Sequence, residues 1–471
     1  MSPRASVRLW LFAVTLLMFV NLTACAQDQA AKSYNDAHST VEVPVSSEGM
    51  PDTASSSGGS SIGNESSIGD ESIISSIPEI SSAPSPIILD GATSEAVKER
   101  LNAICKQCDV VGLSMVVFKG QDLFFKHSYG YADKALQIAA CENTKYRIAS
   151  ISKTITGIMA MQLIAEGRLS LDTGVSACLG VDLDNPNYPN DKITLRQLMT
   201  HTSGIADSLA YVIATGAPGP LNDLLSYGTI HSGTKPGTYY LYSNFGAGLI
   251  CGMIERVTGK RFYDYADERL FIPLQMDAGF LRTRIDDTEN IAVIYNQNAV
   301  SADVKRWGRV ERAYDSIPLG QMYLIGQSDL IISAADLAAF GIALAGDGTY
   351  NGYEILPPKA VNEMNTVAFD DGVVKRGLAL GMVENLVHGR TLYGHVGQAY
   401  GMISAMYYDP TDHTGVVFIT NGCAVQKNQN DTYTIVDAIV NAAYAEFFDK
   451  GKGLDCSSLP DGIISAAPAT K

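Results

Sequence analysis

Hydrophobic residues in the first part of the folded chain recur with helical spacing and then give way to runs typical of strands. Val97, Leu101 and Ile104 are separated by four and three positions, which predicts a helix with one apolar face. Two mainly apolar runs follow at Val110–Phe118 and Leu123–Tyr129, with a glycine-containing turn between them. This pattern predicts a β-hairpin directly after the helix.

Helical patterns fill the middle of the chain, and strand patterns return after about residue 385. The predicted helices are 151–167, 247–257, 262–270, 334–344 and 433–448. The predicted late strands are 391–395, 402–408 and 416–420. Strands at both ends predict an α+β fold in which one antiparallel β-sheet is built from N- and C-terminal strands and flanked by helices. The inserted middle would form a mostly helical lobe, and active sites are often found in the cleft between two lobes.

The N-terminus has the pattern of an export signal. Its apolar run, Leu9–Val20, follows two arginines and is shorter than the roughly 20 residues that a membrane-spanning helix needs. Residues 1–24 are therefore predicted to be a signal peptide. The segment Leu22–Cys25 resembles a bacterial lipobox, which implies cleavage before Cys25 and a lipid on its thiol. Ordinary secretion with cleavage near Ala26 is the alternative.

Composition divides the rest of the chain into a tether, a folded domain and a tail. Residues 26–88 contain 17 serines and nine acidic residues but one basic residue, so the segment 25–88 is predicted to be a disordered tether. Residues 89–450 carry the hydrophobic pattern of one domain, and 451–471 form a tail rich in small residues. The predicted location is the outer face of a bacterial membrane, with the lipid anchor as the membrane contact.

Overall charge and cysteine content exclude some classes of protein. The net charge of −16 argues against a nucleic-acid-binding protein, which needs a basic surface. Eight cysteines in 471 residues are too few for a disulfide scaffold. Cys105 and Cys108 form a lone CxxC, for which a buried thiol pair or a local disulfide is favoured over a redox or metal role. No metal site is predicted.

The first group of residues that can carry chemistry lies at the start of the helix near residue 151. Ser150 and Lys153 are three positions apart, so their side chains share one helix face. A lysine activates a serine only if burial or another cation lowers its pKa toward neutrality. Backbone N–H groups at a helix N-terminus also favour a developing oxyanion. Alone, this spacing is common, and a capping serine beside a solvated lysine would explain it equally well.

Two further groups follow along the chain. Tyr242 and Asn244 precede a predicted helix, where a phenol can relay a proton and an amide can donate to a substrate carbonyl. A second Tyr-x-Asn begins at Tyr188, but it lies in a Pro- and Asn-rich loop and is predicted to be a turn. His395 and Gly397 lie on a predicted strand, where a glycine would let a substrate backbone approach closely.

The order and spacing of these groups resemble the serine β-lactamase and penicillin-binding-protein superfamily. The resemblance is to its class C-like branch of D-alanyl-D-alanine carboxypeptidases, esterases and related hydrolases, and it covers about residues 92–448. Four further segments also match the sequence pattern of this superfamily, in the expected order. They are 169–172, 198–205, 271–274 and 333–337. It implies an acyl-enzyme mechanism in which Ser150 attacks a carbonyl while Lys153 and Tyr242 manage its proton.

The resemblance also implies the roles of the remaining residues and the absence of a cofactor. Backbone N–H groups of Ser150 and Gln398 would form the oxyanion hole, while Asn244 and His395 would orient the substrate and hold an electropositive field. The substrate-binding residues that it implies are Asn244, His395, Gly397 and Gln398. His201 resembles a family landmark that is interpreted as architectural.

One position departs from the pattern of many family members. Val396 stands where β-lactamases and many carboxypeptidases have a threonine, so no hydroxyl is available there for a substrate carboxylate. Losing such a bond costs about 1.5–3 kcal/mol. Esters or amides of D-amino acids on cell-envelope polymers, or small esters, are therefore the favoured substrates.

Two other functions stay open at this point. A penicillin-binding protein of the DD-carboxypeptidase or β-lactamase type would use the same residues on other substrates. A non-catalytic envelope-binding lipoprotein would use the fold to hold a ligand. The predicted partners are thus a small molecule or a cell-wall polymer.

Overall fold

A computed structural model describes residues 91–296, 299–301, 311 and 313–449, all of which belong to one compact unit. The predicted signal peptide 1–24, the lipidation residue Cys25, the tether 25–88 and the tail 451–471 lie outside the described residues. The lipid anchor and the location therefore stay predictions.

Eleven helices are described in this part of the chain, besides short 3-10 turns and one π-helical segment. They are α1 Gly91–Gln107, α2 Ser152–Ala165, α3 Val175–Leu179, α4 Leu195–Thr200, α5 Leu209–Ala214, α6 Leu221–Leu225, α7 Asn244–Thr258, α8 Phe262–Ala266, α9 Ala334–Ala345, α10 Pro358–Met364 and α11 Thr434–Phe447.

Fifteen strands are described in the same residues. They are β1 Gly112–Lys119, β2 Asp122–Asp133, β3 Ile138–Ala139, β4 Lys145–Arg147, β5 Tyr295–Asn296, β6 Ala299–Val300, β7 Ile331–Ser333, β8 Thr349–Tyr350, β9 Tyr353–Glu354, β10 Phe369–Asp370, β11 Lys375–Arg376, β12 Gly381–Glu384, β13 Thr391–Ala399, β14 Met402–Asp409 and β15 Thr414–Gly422.

Nine of these strands form one antiparallel sheet in the order β10-β11-β12-β13-β14-β15-β1-β2-β3. The N-terminal hairpin β1–β2 joins the C-terminal strands where β1 pairs with β15. This pairing confirms the predicted α+β fold, in which one sheet is made from both ends of the chain.

Alternate residues of β1 belong to two different hydrophobic cores, because successive side chains of a strand point to opposite faces. Met115 and Val117 belong to the core formed with α1 and α11, whereas Val116 and Phe118 belong to the larger core formed with α2 and α9. Helices therefore cover both faces of the sheet, and the helical middle of the chain packs against the second face.

The α2 helix is buried along most of its length, which explains why its sequence is apolar on nearly every side. Three of its buried polar side chains, Thr154, Thr156 and Gln162, donate to backbone carbonyls of other segments, which offsets the desolvation cost of these donors. Thr154 Oγ1 donates to Ala379 O and Gln162 Nε2 donates to Ile355 O, both at 2.8 Å.

Several element boundaries differ from the predictions. The predicted strand 391–395 extends to Ala399, and the predicted helix 262–270 ends at Ala266 and continues as a π-helical segment, Asp267–Phe271. The helix predicted to begin at 151 is preceded by a 3-10 turn, Ala149–Ile151. Within the described residues, no helix combines the length and the apolar character needed to cross a membrane.

Candidate active site

Ser150 lies in the 3-10 turn that leads directly into α2. Ala149, just before it, has a left-handed backbone with φ of 48°, a conformation that costs an L-residue about 1–3 kcal/mol. Ala149 and Ile151 are buried, whereas Ser150 between them is half-buried. The turn therefore leaves the hydroxyl of Ser150 partly accessible, at the N-terminus of a buried helix whose dipole favours negative charge there.

Lys153 reaches Ser150 through a short hydrogen bond. Its Nζ donates to Ser150 Oγ at 3.0 Å, to Asn244 Oδ1 at 2.8 Å and to the backbone carbonyl of Gln327 at 2.8 Å. These three bonds use all the donors that an ammonium group has. The alternative of a solvated lysine is wrong, because Lys153 is only 3% exposed.

The charge state of Lys153 follows from its surroundings. Burial, opposed by Asp207 and Asp329 and assisted by Arg376, lowers the pKa of Lys153 to about 7. An amine with this pKa is substantially unprotonated near neutral pH and can accept a proton.

Tyr242 contacts the same hydroxyl. Its side chain is hydrogen-bonded to Ser150, and Lys153 Nζ lies 5.1 Å from the centre of its ring. Burial raises the pKa of Tyr242 to about 12, against the lowering effect of the Ser150 hydrogen bond and of Arg376. The phenol is therefore protonated at neutral pH, so it can donate a proton rather than take one.

His201 holds the segment that carries Tyr242. Its backbone carbonyl accepts from Leu241 N at 2.8 Å, its Nδ1 accepts from Ser243 N at 3.3 Å, and its ring lies 4.3 Å from the Tyr242 ring. Burial and the nearby cations Arg376 and Lys153 hold the pKa of His201 well below its usual value, so the ring is neutral. These contacts agree with the architectural interpretation of His201.

Asp207 is a site residue that the sequence analysis missed. Its two carboxylate oxygens accept from Ser243 Oγ, from the backbone N–H groups of Asn244 and Phe245, and from Asn244 Nδ2, at 2.8–3.1 Å. It thus caps the N-terminus of α7 from a different loop. The sequence gives no signal of this kind, because Asp207 lies 37 positions before Asn244, the first residue of the helix that it caps.

Asn244 is engaged at both ends of its amide. Its Oδ1 accepts from Lys153, and its Nδ2 donates to Asp207 at 2.8 Å, so one amide N–H is left for a substrate. The structure thus describes contacts of Asn244 with Lys153 and Asp207. Its contact with a substrate stays a prediction.

The strand β13 packs directly against the turn that carries Ser150. A Cβ atom on Gly397 would lie 2.1 Å from Ile148 O, and Ser404 Oγ from β14 donates to the same carbonyl at 2.8 Å. The glycine is therefore needed for the approach of the turn's own backbone, and its role in substrate binding stays a prediction. Gln398, the next residue, is exposed.

His395 carries no charge at neutral pH, which corrects the expectation that it holds an electropositive field. Burial, Arg376 and Lys153 together lower the pKa of His395 to about 3. Its Nδ1 donates to Val396 O at 2.7 Å, so Nε2 is an acceptor, and Nε2 has no hydrogen-bond partner in the described part of the chain. A role in substrate binding stays a prediction for this residue.

Positive charge at the site comes instead from Arg376, which the sequence analysis also missed. It is 8% exposed on β11, and its charge lowers the pKa of Lys153, His395 and Tyr242. No local signal marks it, because Arg376 directly follows Lys375 in the sequence and only the fold shows which of the two side chains is buried.

The loop that supplies the Gln327 carbonyl is fixed by an ion pair. Arg147 Nη2 contacts Asp329 Oδ1 at 2.5 Å, and Arg147 Nε donates to Ser328 O at 3.1 Å. Arg147 lies in β4, immediately before the turn with Ser150, so the pair joins the turn to the loop.

The two other motifs from the sequence lie apart from this arrangement. Tyr188 lies in a turn and its hydroxyl donates to Gly233 O at 3.4 Å, as expected for the second Tyr-x-Asn. Cys105 and Cys108 are buried free thiols whose pKa values burial raises to about 12 and about 11. Among the described residues no three His, Cys, Asp or Glu side chains form a group that could hold a metal ion.

A family model described as Beta-lactamase matches residues 93–439 of the chain. Similar curated proteins include Protein flp of Staphylococcus aureus (strain MW2), 34% identical over 171 residues that cover 36% of this chain and 34% of that protein. Penicillin-binding protein 4* of Bacillus subtilis (strain 168) is 26% identical over 178 residues, which cover 36% and 37% of the two chains. The chain thus spans about a third of the length of these relatives.

Three solved structures with low sequence identity have a similar fold. The octameric penicillin-binding protein homologue from Pyrococcus abyssi has a TM-score of 0.61 at 21% identity, covering 79% of this chain and 80% of its own. The D-amino acid amidase from Ochrobactrum anthropi SV3 has a TM-score of 0.58 at 23% identity, covering 75% and 98%. EstCE1, a hydrolase with promiscuous acyltransferase activity, has a TM-score of 0.58 at 19% identity, covering 75% and 100%.

Proposed function

This chain belongs to the beta-lactamase family of serine hydrolases, and we propose that it acts through an acyl-enzyme formed on Ser150. The observation that carries the proposal is the hydrogen bond of 3.0 Å between Lys153 Nζ and Ser150 Oγ, made by an amine whose pKa is about 7. Such an amine can take the hydroxyl proton as the oxygen attacks a carbonyl.

The proton then travels through the hydrogen-bonded groups around Ser150. As the bond to the leaving group breaks, Tyr242 gives its phenolic proton to the leaving oxygen or nitrogen, and the Lys153 ammonium returns a proton to the phenolate. A phenol with a pKa near 12 suits this role because it is protonated at neutral pH. Backbone N–H groups of Ser150 and Gln398 would bind the oxyanion, and water would release the acid in the second half-reaction.

The proposed substrates are esters or amides of D-amino acids on cell-envelope polymers, or small esters. Support comes from Val396, which supplies no hydroxyl for a carboxylate. Further support comes from the fold shared with a D-amino acid amidase and with EstCE1. A penicillin-binding protein that cleaves D-Ala-D-Ala peptides or β-lactams is the second candidate, because Penicillin-binding protein 4* is among the similar proteins.

The proposed setting is the outer face of a bacterial membrane, where a lipid on Cys25 would anchor the enzyme through the tether 25–88. The lipobox-like sequence Leu22–Cys25 and the apolar run before it support this proposal.

Labelling with a fluorophosphonate probe tests the proposed nucleophile. We expect labelling of the wild-type protein, loss of labelling in Ser150→Ala, and loss of at least a hundredfold in rate for Lys153→Ala, because a general base contributes about 10²–10⁴-fold. Tyr188→Phe is the matched control and should label like the wild type. Absence of labelling in the wild type would favour a non-catalytic envelope-binding lipoprotein.

Turnover of three substrate types distinguishes the two enzymatic candidates. We expect D-alanyl esters or amides to be cleaved faster than D-Ala-D-Ala peptides and nitrocefin. Faster cleavage of either of the last two would identify the protein with the second candidate.

A further inference from the structure

Three cysteines lie near one another in the core between the sheet, α1 and α11, and the proposed mechanism uses none of them. Cys105 and Cys108 lie at the end of α1, and Cys423 directly follows β15. All three are free thiols with an exposed fraction of 8% or less, and they belong to one hydrophobic cluster. Burial raises the pKa of Cys105 most, and the charges of Cys108 and Cys423 add to this effect, so the three thiols are neighbours.

The backbone holds Cys108 beside Cys423. Ala424 N donates to Cys108 O at 2.8 Å. Val111 N donates to Gly422 O at 2.9 Å, so the segment that leaves α1 is bonded to the residues on both sides of Cys423. Backbones that pair in this way lie about 4.7–4.9 Å apart. The Cα atoms of a disulfide are about 4.4–6.8 Å apart, so this spacing suits a bond between the two thiols.

A local bond between Cys105 and Cys108 is disfavoured by the helix that carries them. Cys108 N donates to Ile104 O and Val110 N donates to Cys105 O, both at 2.9 Å, so the end of α1 is closed by backbone hydrogen bonds. Residues three positions apart on a helix have Cβ atoms about 5–6 Å apart. A disulfide needs about 3.5–4.5 Å between them, so the local bond would distort this helix end.

We propose that Cys108 and Cys423 form a disulfide once the protein has left the cytoplasm, and that this bond fastens α1 to the end of β15. The inference rests on the proposed setting outside the cytoplasm, because disulfides persist there and are rare inside the cell. It does not depend on the proposed role of Ser150.

The bond forms by exchange with an external disulfide, that of a thiol-disulfide oxidoreductase or of oxidised glutathione. The thiolate of one cysteine attacks it and gives a mixed disulfide, which the thiolate of the other cysteine then cleaves. One S–S bond forms in the protein and one breaks in the oxidant. The two cysteines lose two electrons, and the oxidant leaves as two thiols that carry the two protons.

The exchange belongs to folding rather than to the folded state. Burial raises the pKa of Cys108 to about 11 and that of Cys423 to about 12, so few thiolates exist once the core has closed. The thiolate is the form that attacks a disulfide. The oxidant therefore acts before α1 has packed against the sheet.

The position of the bond suits a domain that is held at its N-terminus. The predicted tether 25–88 precedes α1, so a pull on the tether reaches the domain through this helix. The bond also lies close to the strand that carries Gln398. Cys423 N donates to Gly401 O at 2.9 Å, in the turn between β13 and β14. A fixed end of β15 would therefore hold this turn as well.

The thiol state of the protein in the cell tests the pairing. Producing bacteria are quenched with acid, and the free thiols of the full-length protein are alkylated in denaturant without a reductant. Trypsin separates the three cysteines, because their peptides are 101–106, 107–119 and 391–427. Mass spectrometry should find the peptide of Cys108 linked to that of Cys423, and Cys105 alkylated. Alkylation of both Cys108 and Cys423, or a link from either to another cysteine, would overturn the proposal.

Thermal unfolding with and without a trialkylphosphine reductant measures the contribution of the bond. We expect the reductant to lower the Tm of the wild type by about 3–8 °C, because the bond closes a long loop of the unfolded chain. Cys108→Ser and Cys423→Ser should have the same Tm under both conditions. Cys105→Ser is the matched control, a buried thiol one helical turn away, and should keep the wild-type shift.

The shift is compared within each variant, so it does not contain the effect of the substitution on packing. A wild-type Tm that does not change on reduction would overturn the proposal, and so would a shift that persists in Cys423→Ser.

Failure of the pairing and failure of the proposed setting give different results. Wild-type protein is reduced in urea, refolded with reduced and oxidised glutathione, and digested in the same way. A link between Cys108 and Cys423 that forms on refolding but is absent from the cells would overturn the proposed export, because the cytoplasm keeps thiols reduced. A link absent from both samples would overturn the pairing itself. Labelling of Ser150 by the fluorophosphonate probe tests the proposed function separately.

Discussion

At the scale of single residues, burial sets the charge state of each group around Ser150. Lys153 has a pKa lowered to about 7, Tyr242 a pKa raised to about 12 and His395 a pKa lowered to about 3. Desolvation is the first cause in all three, because a charged form loses hydration when it is buried. Near pH 7 Lys153 is therefore about half unprotonated, Tyr242 is protonated and His395 is uncharged.

The pH dependence of the reaction follows from Lys153. The base works only when it is unprotonated, so kcat/KM should fall by about tenfold per pH unit below about 7 and level off above it. Initial rates with an uncharged ester between pH 5 and 9 measure this. A rate that stays constant down to pH 5 would contradict Lys153 as the base.

A substitution of Arg376 tests the assignment of Lys153 as the base. Its charge contributes to the lowered pKa of Lys153, so Arg376→Gln should move the fall in kcat/KM to higher pH. Lys375→Gln should leave the position of the fall unchanged, since the Lys375 side chain pairs with Glu384 and Asp370 instead.

Tyr242→Phe should have an effect that depends on the leaving group. A poor leaving group such as an amine needs a proton, so its release should slow by about 10²–10⁴-fold, whereas release of nitrophenolate should change far less. Comparing an amide and a nitrophenyl ester of one acyl group measures the difference. Equal losses for both substrates would argue against Tyr242 as the proton donor.

At the scale of elements, α7 and the segment before it are positioned from a separate loop. Asp207 accepts four hydrogen bonds from residues 243–245 and so caps the helix that begins at Asn244. Asn244 in turn accepts from Lys153. The stability of this helix end is therefore coupled to the position of the proposed base.

Asp207→Asn should lower the free energy of unfolding by about 0.5–2 kcal/mol, the range for losing a helix cap. It should also lower kcat, because Asn244 then loses its charged partner. Denaturant unfolding and kinetics on the same preparation measure both effects. Asp172→Asn is the control, because Asp172 is exposed and its contact with Arg196 is 3.7 Å long, so that variant should stay within about 0.5 kcal/mol of the wild type.

The longest helices and strands were predictable, because each has a local pattern, whereas the short helices and the two- to four-residue strands were not. The long apolar stretch after Ser150 forms α2, and the strands near residues 402 and 416 form β14 and β15. The residues Asp207 and Arg376 were not predictable from local pattern, since their importance comes from contacts with residues far away in the sequence.

At the scale of the whole molecule, the site is assembled where the sheet meets the helical part of the chain. The turn with Ser150 packs on β13, Tyr242 comes from the segment before α7, and the Gln327 carbonyl comes from a loop fixed by Asp329. Small changes in the packing of these segments should therefore change the distances between Ser150, Lys153 and Tyr242.

Gly397→Ala tests the closest of these contacts. Its Cβ atom would lie 2.1 Å from Ile148 O, so the strand and the turn would have to separate. We expect a loss of about 1–3 kcal/mol in unfolding free energy and a large loss of kcat. Gly219→Ala should be silent in both measurements, because a Cβ atom at Gly219 has no other heavy atom within 4 Å. Wild-type activity in Gly397→Ala would contradict the proposed geometry.

The last prediction concerns the attachment of the protein to a membrane through a lipid on Cys25. Cys25→Ser should remove the lipid attachment and shift the protein from the membrane fraction to the soluble fraction. Fractionation followed by immunoblotting measures this, with Cys141→Ser as the control. A variant that stays in the membrane fraction would contradict the lipobox interpretation.

The sequence by itself determined the order of the longest helices and strands, the α+β class and the candidate residues Ser150, Lys153 and Tyr242, because these depend on local periodicity and spacing. Only the tertiary structure decided the charge states of Lys153 and His395, the cap from Asp207 and the place of Arg376. The physical reason is that a pKa and a hydrogen bond depend on burial and on neighbours in space, which the folding of distant segments brings together.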